Sequence, residues 1–444
     1  MDSSHVSAVL DMFYDVASAF PTGWGGGTGL WGPQQVVVTM MHLLRPGTTQ
    51  SYKTCLPAVQ SEIGRVRWGW ERAPDPRGCS DARMRCGVAP VRDCADRCRD
   101  RAVALAAACA PDQRGPLGRP MAAFDGTDLL VFEDPGTRSR FGGVSDADGK
   151  PVGQPHALMV SAWDVVHRIP LGWTLLPYGS DERVGAKALL PTLDPAAIAV
   201  FDRGYPSRAF VRDMMLADRD FVMRMIASEA SGWSEVQAFY RSKERERIVI
   251  MDLGQDPLRP GMRVLRAVRL IRRPFRRGRP QSHQRPETWV IATSLVDPAY
   301  RTEDLIEVYH QRWTIETIHK ELKVLCAVET WHTTNPDLIE QEIAAIMIWQ
   351  SLAAAVQIQV QNSLDKRCAN PWNKPTRALA VRTMVMSAVH ELLTHAYLGK
   401  ARSTAKTLLA RHVALMADWA QRRRPGRSRP RKRIRPHGRF RAGG

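Results

Sequence analysis

The stretch that most constrains this chain is Asp304 to Ala327, DLIEVYHQRWTIETIHKELKVLCA. It lacks Pro and Gly and is well supplied with Leu, Ile, Glu and Lys, so it predicts a helix. With Tyr309 set at zero and about 100° per residue, Arg312 falls at about −60°, Glu316 at about −20° and Lys323 at about −40°. One acid, two cations and a phenol therefore share a face. Ile315, Ile318, Leu322 and Leu325 take the opposite side, which reads as the core face. A surface helix laced with i,i+4 ion pairs, such as Arg312–Glu316, carries the same pattern. The helix alone does not separate the two readings.

Two acids elsewhere tip the balance. Arg119 to Phe124 (RPMAAF) runs into Asp125-Gly126-Thr127, and Leu129 to Phe132 is apolar again. Ala157 to Val166 and Leu171 to Leu176 read as further strands, which makes a meander with Asp125 on its first strand. Ile198 to Phe201 (IAVF) reads as a short buried strand ending at Asp202, with Gly204 for the turn and a helix over Ser207 to Leu216. An unpaired carboxylate on a central strand is expensive, so Asp125 needs a purpose there. The competing readings are a hairpin turn at Asp-Gly and Asp128 as the acid in its place. An Asp-Asp-Glu set with cations beside the Glu is what a two-metal phosphoryl-transfer site requires. Hard divalent cations take carboxylate oxygens, and two of them clamp the attacking and leaving oxygens of an in-line displacement.

Tyr309-x2-Arg312-x3-Glu316-x6-Lys323 resembles the YREK signature of the IS-four-type DDE transposases, and Asp125-Gly126-Thr127 and Asp202-Arg203-Gly204-Tyr205 resemble that family's two aspartate motifs. The resemblance covers roughly residues 115 to 360. It implies an α/β fold: an RNase H-like core with a β-rich insertion between the second Asp and the Glu, plus a helical N-terminal domain. The implied division is a DNA-end-binding domain over 1–115, the core over 116–220 and 299–362, the insertion over 221–298, a helical region over 363–421 and a basic tail over 422–444. The implied activity is cut-and-paste transposition through a hairpin intermediate. Asp125, Asp202 and Glu316 would hold two Mg²⁺ ions, with Mn²⁺ as a substitute, while Tyr309, Arg312 and Lys323 would hold phosphates beside the scissile bond. The implied partners are the terminal inverted repeats and target DNA, engaged by a dimer on paired ends in the bacterial cytoplasm at the nucleoid.

Charge agrees with a polyanionic partner. The formal net charge is +18, which points to nucleic acid or an anionic membrane surface. The most apolar stretch, Ile343 to Val360, contains Gln350, Gln357 and Gln359 and reads as a buried helix rather than a membrane span. The N-terminus lacks the basic-then-apolar order of a signal peptide. Within the expected insertion, Arg272, Arg273, Arg276 and Arg277 lie in a dense basic stretch suited to DNA phosphates, and Trp289 is a candidate to stack on an unpaired base. In the N-terminal region Arg83, Arg85 and Arg92 are the cations expected to face DNA, while Cys79, Cys86, Cys94, Cys98 and Cys109 cluster without a C-x-x-C pair and read as reduced thiols rather than a zinc site.

Three other functions fit parts of this pattern. A metal-dependent nuclease of the same fold would cleave without joining. A tyrosine recombinase would use Tyr309 covalently and need no metal. A non-catalytic DNA-binding regulator derived from a transposase would use the charge and leave the acids idle.

Overall fold

The apolar runs read as strands assemble into one mixed sheet. A computed structural model describes residues 3–18, 31–48, 50–109, 114–226, 231–242, 244–275, 287–367 and 379–418. Its strands are β1 (Met121–Leu130), β2 (Gly143–Ser145), β3 (Pro151–Asp164), β4 (Ile169–Pro177), β5 (Ile198–Phe201), β6 (Phe221–Met225), β7 (Glu246–Gln255), β8 (Arg263–Phe275) and β9 (Glu287–Thr293). The order is β2-β3-β1-β5-β6-β9-β8-β7, with β4 also paired to β3. β4, β3 and β1 form the antiparallel meander. β5 and β6 then run parallel to β1. The path β4-β3-β1-β5-β6, three antiparallel strands followed by two parallel ones, is the RNase H-like core.

The region between Asp202 and Glu316 differs from the expectation in one respect. Its first strand, β6, belongs to the core, and β9, β8 and β7 continue the same sheet antiparallel from it. The physical reason is backbone pairing. A core ending at β6 would leave a row of unpaired N–H and C=O groups, and β9 covers that edge.

Helices close both faces. One face packs against Glu182–Leu189, Arg208–Leu216 and Ser234–Arg241, whose apolar sides meet Phe124, Phe201 and Met223. Ser207 caps the second of these, accepting from the Phe210 N–H at 3.1 Å. The other face joins a larger core shared with the N-terminal helices Ser3–Ser18, Pro33–Leu43, Tyr52–Val59, Pro76–Cys86 and Ala89–Ala107 and the C-terminal helices Pro336–Arg367, Leu379–Tyr397 and Arg402–Asp418. The described N-terminal helices thus pack into the body of the molecule and share its core. The helix starting at Pro336 is long and apolar enough to cross a membrane, yet 94% of its apolar window is buried by the protein's own residues. Two short helices, Pro135–Phe141 and Ser234–Arg241, were not legible in the sequence. The first is fixed by Asp134, which accepts from the Gly136 N–H at 2.8 Å. The basic stretch at 422–444 lies outside the described residues.

Candidate active site

Strand register brings the two aspartates together. In the parallel pair β1–β5, Met121 is level with Ile198, Ala122 with Ala199 and Ala123 with Val200, an offset of 77 residues. Carried two residues further, that offset sets Asp125 beside Asp202. Side chains alternate across a sheet, so Asp125 shares the face of Met121 and Ala123, and Asp202 the face of Val200. Asp202 is the first residue after β5, and its Oδ1 accepts from the Gly204 N–H at 2.7 Å, which fixes the turn.

The Glu316 helix crosses that same face of the sheet. The expected single helix is two, Thr302–Gln311 and Trp313–Val324, separated at Arg312. There the bonds tighten to three-residue spacing, from Arg312 N–H to Tyr309 O at 3.2 Å and from Ile315 N–H to Arg312 O at 2.9 Å. The interruption does not undo the pairing that the spacing implied: Arg312 Nη2 donates to Glu316 Oε1 at 2.8 Å. Glu316 is exposed, while Arg312 is buried with its Nε–H lacking a hydrogen-bond partner. Tyr309 sits deeper than the helical wheel suggested. It is buried edge-on against Trp289, with ring centroids 5.8 Å apart, and burial pushes its hydroxyl pKa up. Lys323 reaches β1, donating to the Asp128 carbonyl at 2.6 Å and to Glu329 at 3.1 Å. Asp128, the rival acid, is therefore tied through its backbone to the rim of the site.

Two residues of the site escaped the sequence reading. The first is His319, one helical turn beyond Glu316 and buried, with Nδ1 3.7 Å from Asp125 Oδ2. Its Nε2 meets Ser161 Oγ at 3.0 Å, and that oxygen accepts from Trp163 Nε1–H at 3.0 Å. Ser161 is the β3 residue directly opposite Asp125. With Ser161 accepting from Trp163, its own proton is available to His319 Nε2, which leaves the imidazole Nδ1–H directed at Asp125. Burial lowers the His319 pKa to about 4, with the nearby Lys323 charge acting in the same direction, so the ring is neutral.

The second is Glu182, at the start of its helix on the opposite side of the sheet. It lies on Gly126 so closely that a Cβ there would come 2.5 Å from the Glu182 carboxyl carbon. The Tyr205 hydroxyl faces this carboxylate without a hydrogen bond of good geometry. Burial raises the Glu182 pKa, and Asp202 and Asp128 add to the rise. A helix-start acid after Asp181 is too common a pattern to single out in sequence.

These carboxylates act on one another. Burial pushes Asp125 up to about 7; Arg312 opposes the shift, and Glu182, Asp202 and Glu316 reinforce it. An excess of carboxylate oxygen at a half-buried sheet end, balanced by one guanidinium, is chemically fitted to hard divalent cations.

The remaining expected site residues have other surroundings. Trp289 is 3% exposed, with the Arg224 guanidinium 4.3 Å above its ring and Trp313 at 6.2 Å, so its faces are covered in this conformation. Arg272 donates to the Tyr240 carbonyl at 3.0 Å and to the Phe239 and Ser242 carbonyls, closing the end of Ser234–Arg241. Arg273 is partly buried on β8 opposite Trp289, and Arg276 and Arg277 lie outside the described residues. In the N-terminal region Arg85 is exposed, whereas Arg83 is fully buried and pairs with Glu342 at 2.9 Å. Arg92 binds Glu340 at 2.5 Å and lies over the Trp173 ring at 4.3 Å. Arg83 is thus a buried cohesive cation that does not face DNA, while Arg92 ties its helix to Glu340 and Trp173 with part of its side chain exposed. Cys79, Cys86, Cys94, Cys98 and Cys109 are buried and form no disulfide.

Comparison with known proteins bears on this geometry. The family described as "Transposase DDE domain" matches residues 117–350, more than half of the chain. The chain is also similar to a solved structure, a piggyBac transposase synaptic complex with hairpin DNA, at 12% identity and a TM-score of 0.43, over 95% of this chain and 84% of that one. No curated protein matches the sequence.

Proposed function

The chain belongs to the DDE-domain transposases, a family of metal-dependent enzymes that cleave and transfer DNA strands, and we propose that it is the transposase of an insertion sequence of the IS-four type, with Tyr309, Arg312, Glu316 and Lys323 as its YREK set. The observation that carries this reading is the β1–β5 register, which aligns Asp125 with Asp202 beneath the helix bearing Glu316. Asp125, Asp202 and Glu316 would hold two Mg²⁺ ions, with Mn²⁺ as a substitute, and the ions would activate the attacking oxygen and stabilise the departing 3′ oxygen.

The protein's own groups have distinct tasks. Arg312 bonds Glu316 through Nη2 and would set its guanidinium charge beside the scissile phosphate. Tyr309 supports that guanidinium from below, with its ring centroid 6.0 Å from Cζ. Lys323, held at the β1 rim, adds a point charge beside the strand. Neutral His319, fixed by Ser161 and Trp163, directs a proton at Asp125 and limits rotation of that carboxylate. Glu182 raises the negative potential at Asp125 and Asp202.

In this reading the substrate is DNA at the element's inverted repeats. Hydrolysis frees a 3′-OH, the same site re-uses it for strand transfer, and excision passes through a hairpin. Two paired ends call for a dimer, working in the cytoplasm at the nucleoid. The test is incubation of the protein with linear DNA carrying the gene's flanking sequences and a target plasmid, with Mg²⁺ or EDTA. The expected result is Mg²⁺-dependent breaks at the element ends together with joined products, both absent in Asp202→Ala. Cleavage without joining would replace this reading with a nuclease, and DNA binding without either would replace it with a regulator.

A further inference from the structure

A second cluster of side chains with metal-ligand chemistry lies outside the carboxylate site, among residues the transposition chemistry does not use. His42, on the helix Pro33–Leu43, and His390, on the helix Leu379–Tyr397, are both buried. Glu62 joins them from the widened turn Gln60–Gly64, with its side chain 39% exposed. The two rings stand edge to face with centroids 5.1 Å apart. His42 Nε2 is 3.3 Å from Glu62 Oε2, and His390 Nε2 is 3.6 Å from the same oxygen. All three ligand atoms fall within 4.8 Å of one another.

The hydrogen-bond inventory makes this more than a chance meeting. His42 Nδ1 is 2.9 Å from the Val38 carbonyl, which can only accept, so that nitrogen carries the proton. In the neutral ring, Nε2 then presents a lone pair, and what it faces is a carboxylate oxygen, also a lone-pair donor. Two acceptors 3.3 Å apart call for a cation between them, either a proton or a metal ion. A metal-bound imidazole commonly donates its other N–H to a carbonyl, as His42 does to Val38. Ligands at about 2.0–2.1 Å around a tetrahedral ion lie about 3.3–3.4 Å apart, close to the two separations seen here. The π-type turn that carries Glu62 is an irregularity of the kind that re-aims a side chain. Other charged groups face the trio. Arg45 stands near Glu62 and His390 and opposes an added cation, while Glu391, engaged with His412 at 3.0 Å, favours one.

We propose that His42, Glu62 and His390 form a zinc site that fastens the N-terminal helices to the C-terminal helix Leu379–Tyr397, with a fourth position on the exposed Glu62 side taken by water. Two imidazoles and one carboxylate are borderline-soft donors suited to Zn²⁺, unlike the all-oxygen set at Asp125, Asp202 and Glu316. The site is independent of the transposition reading: it would stand in a nuclease or a regulator of this fold.

The test measures metal in the untagged full-length protein by mass spectrometry after dialysis against a weak chelator. About one zinc per chain is expected, falling at least tenfold in His42→Ala and in His390→Ala and unchanged in Glu316→Gln. Because the alanine variants can misfold, the wild type is also stripped with a strong chelator and refilled. Zn²⁺ should restore the lost thermal stability where Mg²⁺ does not, and Co²⁺ should give the visible absorption of a four-coordinate nitrogen and oxygen site. Protein that is zinc-free as purified, gains no stability on adding Zn²⁺ and leaves Co²⁺ with the spectrum of its aquo ion would overturn the proposal. The trio would then be a protonated His42 paired with Glu62.

Discussion

Two charged regions of this molecule are built on opposite principles. In the N-terminal helices, Arg83 is fully buried, yet Glu342, Gln341, the Leu338 carbonyl and Tyr52 all take up its donors. Arg92 is likewise answered by Glu340, Trp173 and a backbone carbonyl. At the sheet end, Asp125 has Glu182, Asp202 and Glu316 for neighbours and Arg312 as the main opposing charge. The arginines are spent on cohesion, while the acids outnumber the one guanidinium, Arg312, set against them. An excess of one sign inside a fold is costly, and it is retained where a ligand completes it. The number of charges in a segment therefore says less about function than whether the fold has already balanced them.

The comparison can be broken most forcefully at Glu316. Glu316→Ala should reduce strand cleavage on the order of 10³-fold, equivalent to about 4 kcal/mol of barrier, with little change in Tm because the side chain is exposed. Arg83→Ala should do the reverse. It leaves buried Glu342 with only His332 beside it and should cost about 3–5 kcal/mol of stability, seen in chemical denaturation. If Arg83→Ala folds normally but binds DNA poorly, the division between cohesive and functional charge fails.

Acidity sharpens the contrast next. The folded-state pKa of Asp125 is about 7, above its ordinary value of 3.8. Metal-free folded protein therefore binds a proton that the unfolded chain releases, and this contribution to stability is present at low pH and fades as pH rises from about 4 through about 7. Asp125→Asn lacks that loss, so its melting temperature should overtake that of the wild type over this window, and Mg²⁺ should close the gap. Equal pH profiles for the two proteins would show that Asp125 is not the strained acid described here.

Smaller effects are expected around the acids. Ser161→Ala removes the group that fixes His319 and should lower cleavage about 10–100-fold while leaving DNA binding intact. Arg272→Ala should cost about 1 kcal/mol from the lost helix closure, with no change in the salt dependence of DNA binding.

How much of this was readable in sequence follows from the range of each interaction. Asp202 was legible because its signals are local: IAVF, then the acid, then Gly204 and the Ser207 cap, all within ten residues. Arg312–Glu316 was legible because helical spacing fixes it, and it survived the break at Arg312. The RNase H-like order of β4-β3-β1-β5-β6 came from resemblance, since pairings such as Met121 with Ile198 leave no trace in periodicity. His319 was hidden because its role depends on Ser161 across the sheet, and Glu182 because it approaches Gly126 from the other face. Arg83 read as a DNA cation because its partners lie on the helix starting at Pro336, far along the chain. Burial of Trp289 under Arg224 and beside Tyr309 is another long-range outcome that composition does not reveal.

The most direct test of the central claim, that the clustered acids are the metal-holding part of this enzyme, is Mn²⁺ binding followed by electron paramagnetic resonance. It would be run on protein holding Zn²⁺ at the histidine trio, so that the trio does not contribute. The account predicts that ions are bound in this background and that adding Asp125→Asn or Glu316→Gln removes them with the fold retained. Mn²⁺ binding that is indifferent to both substitutions would contradict it.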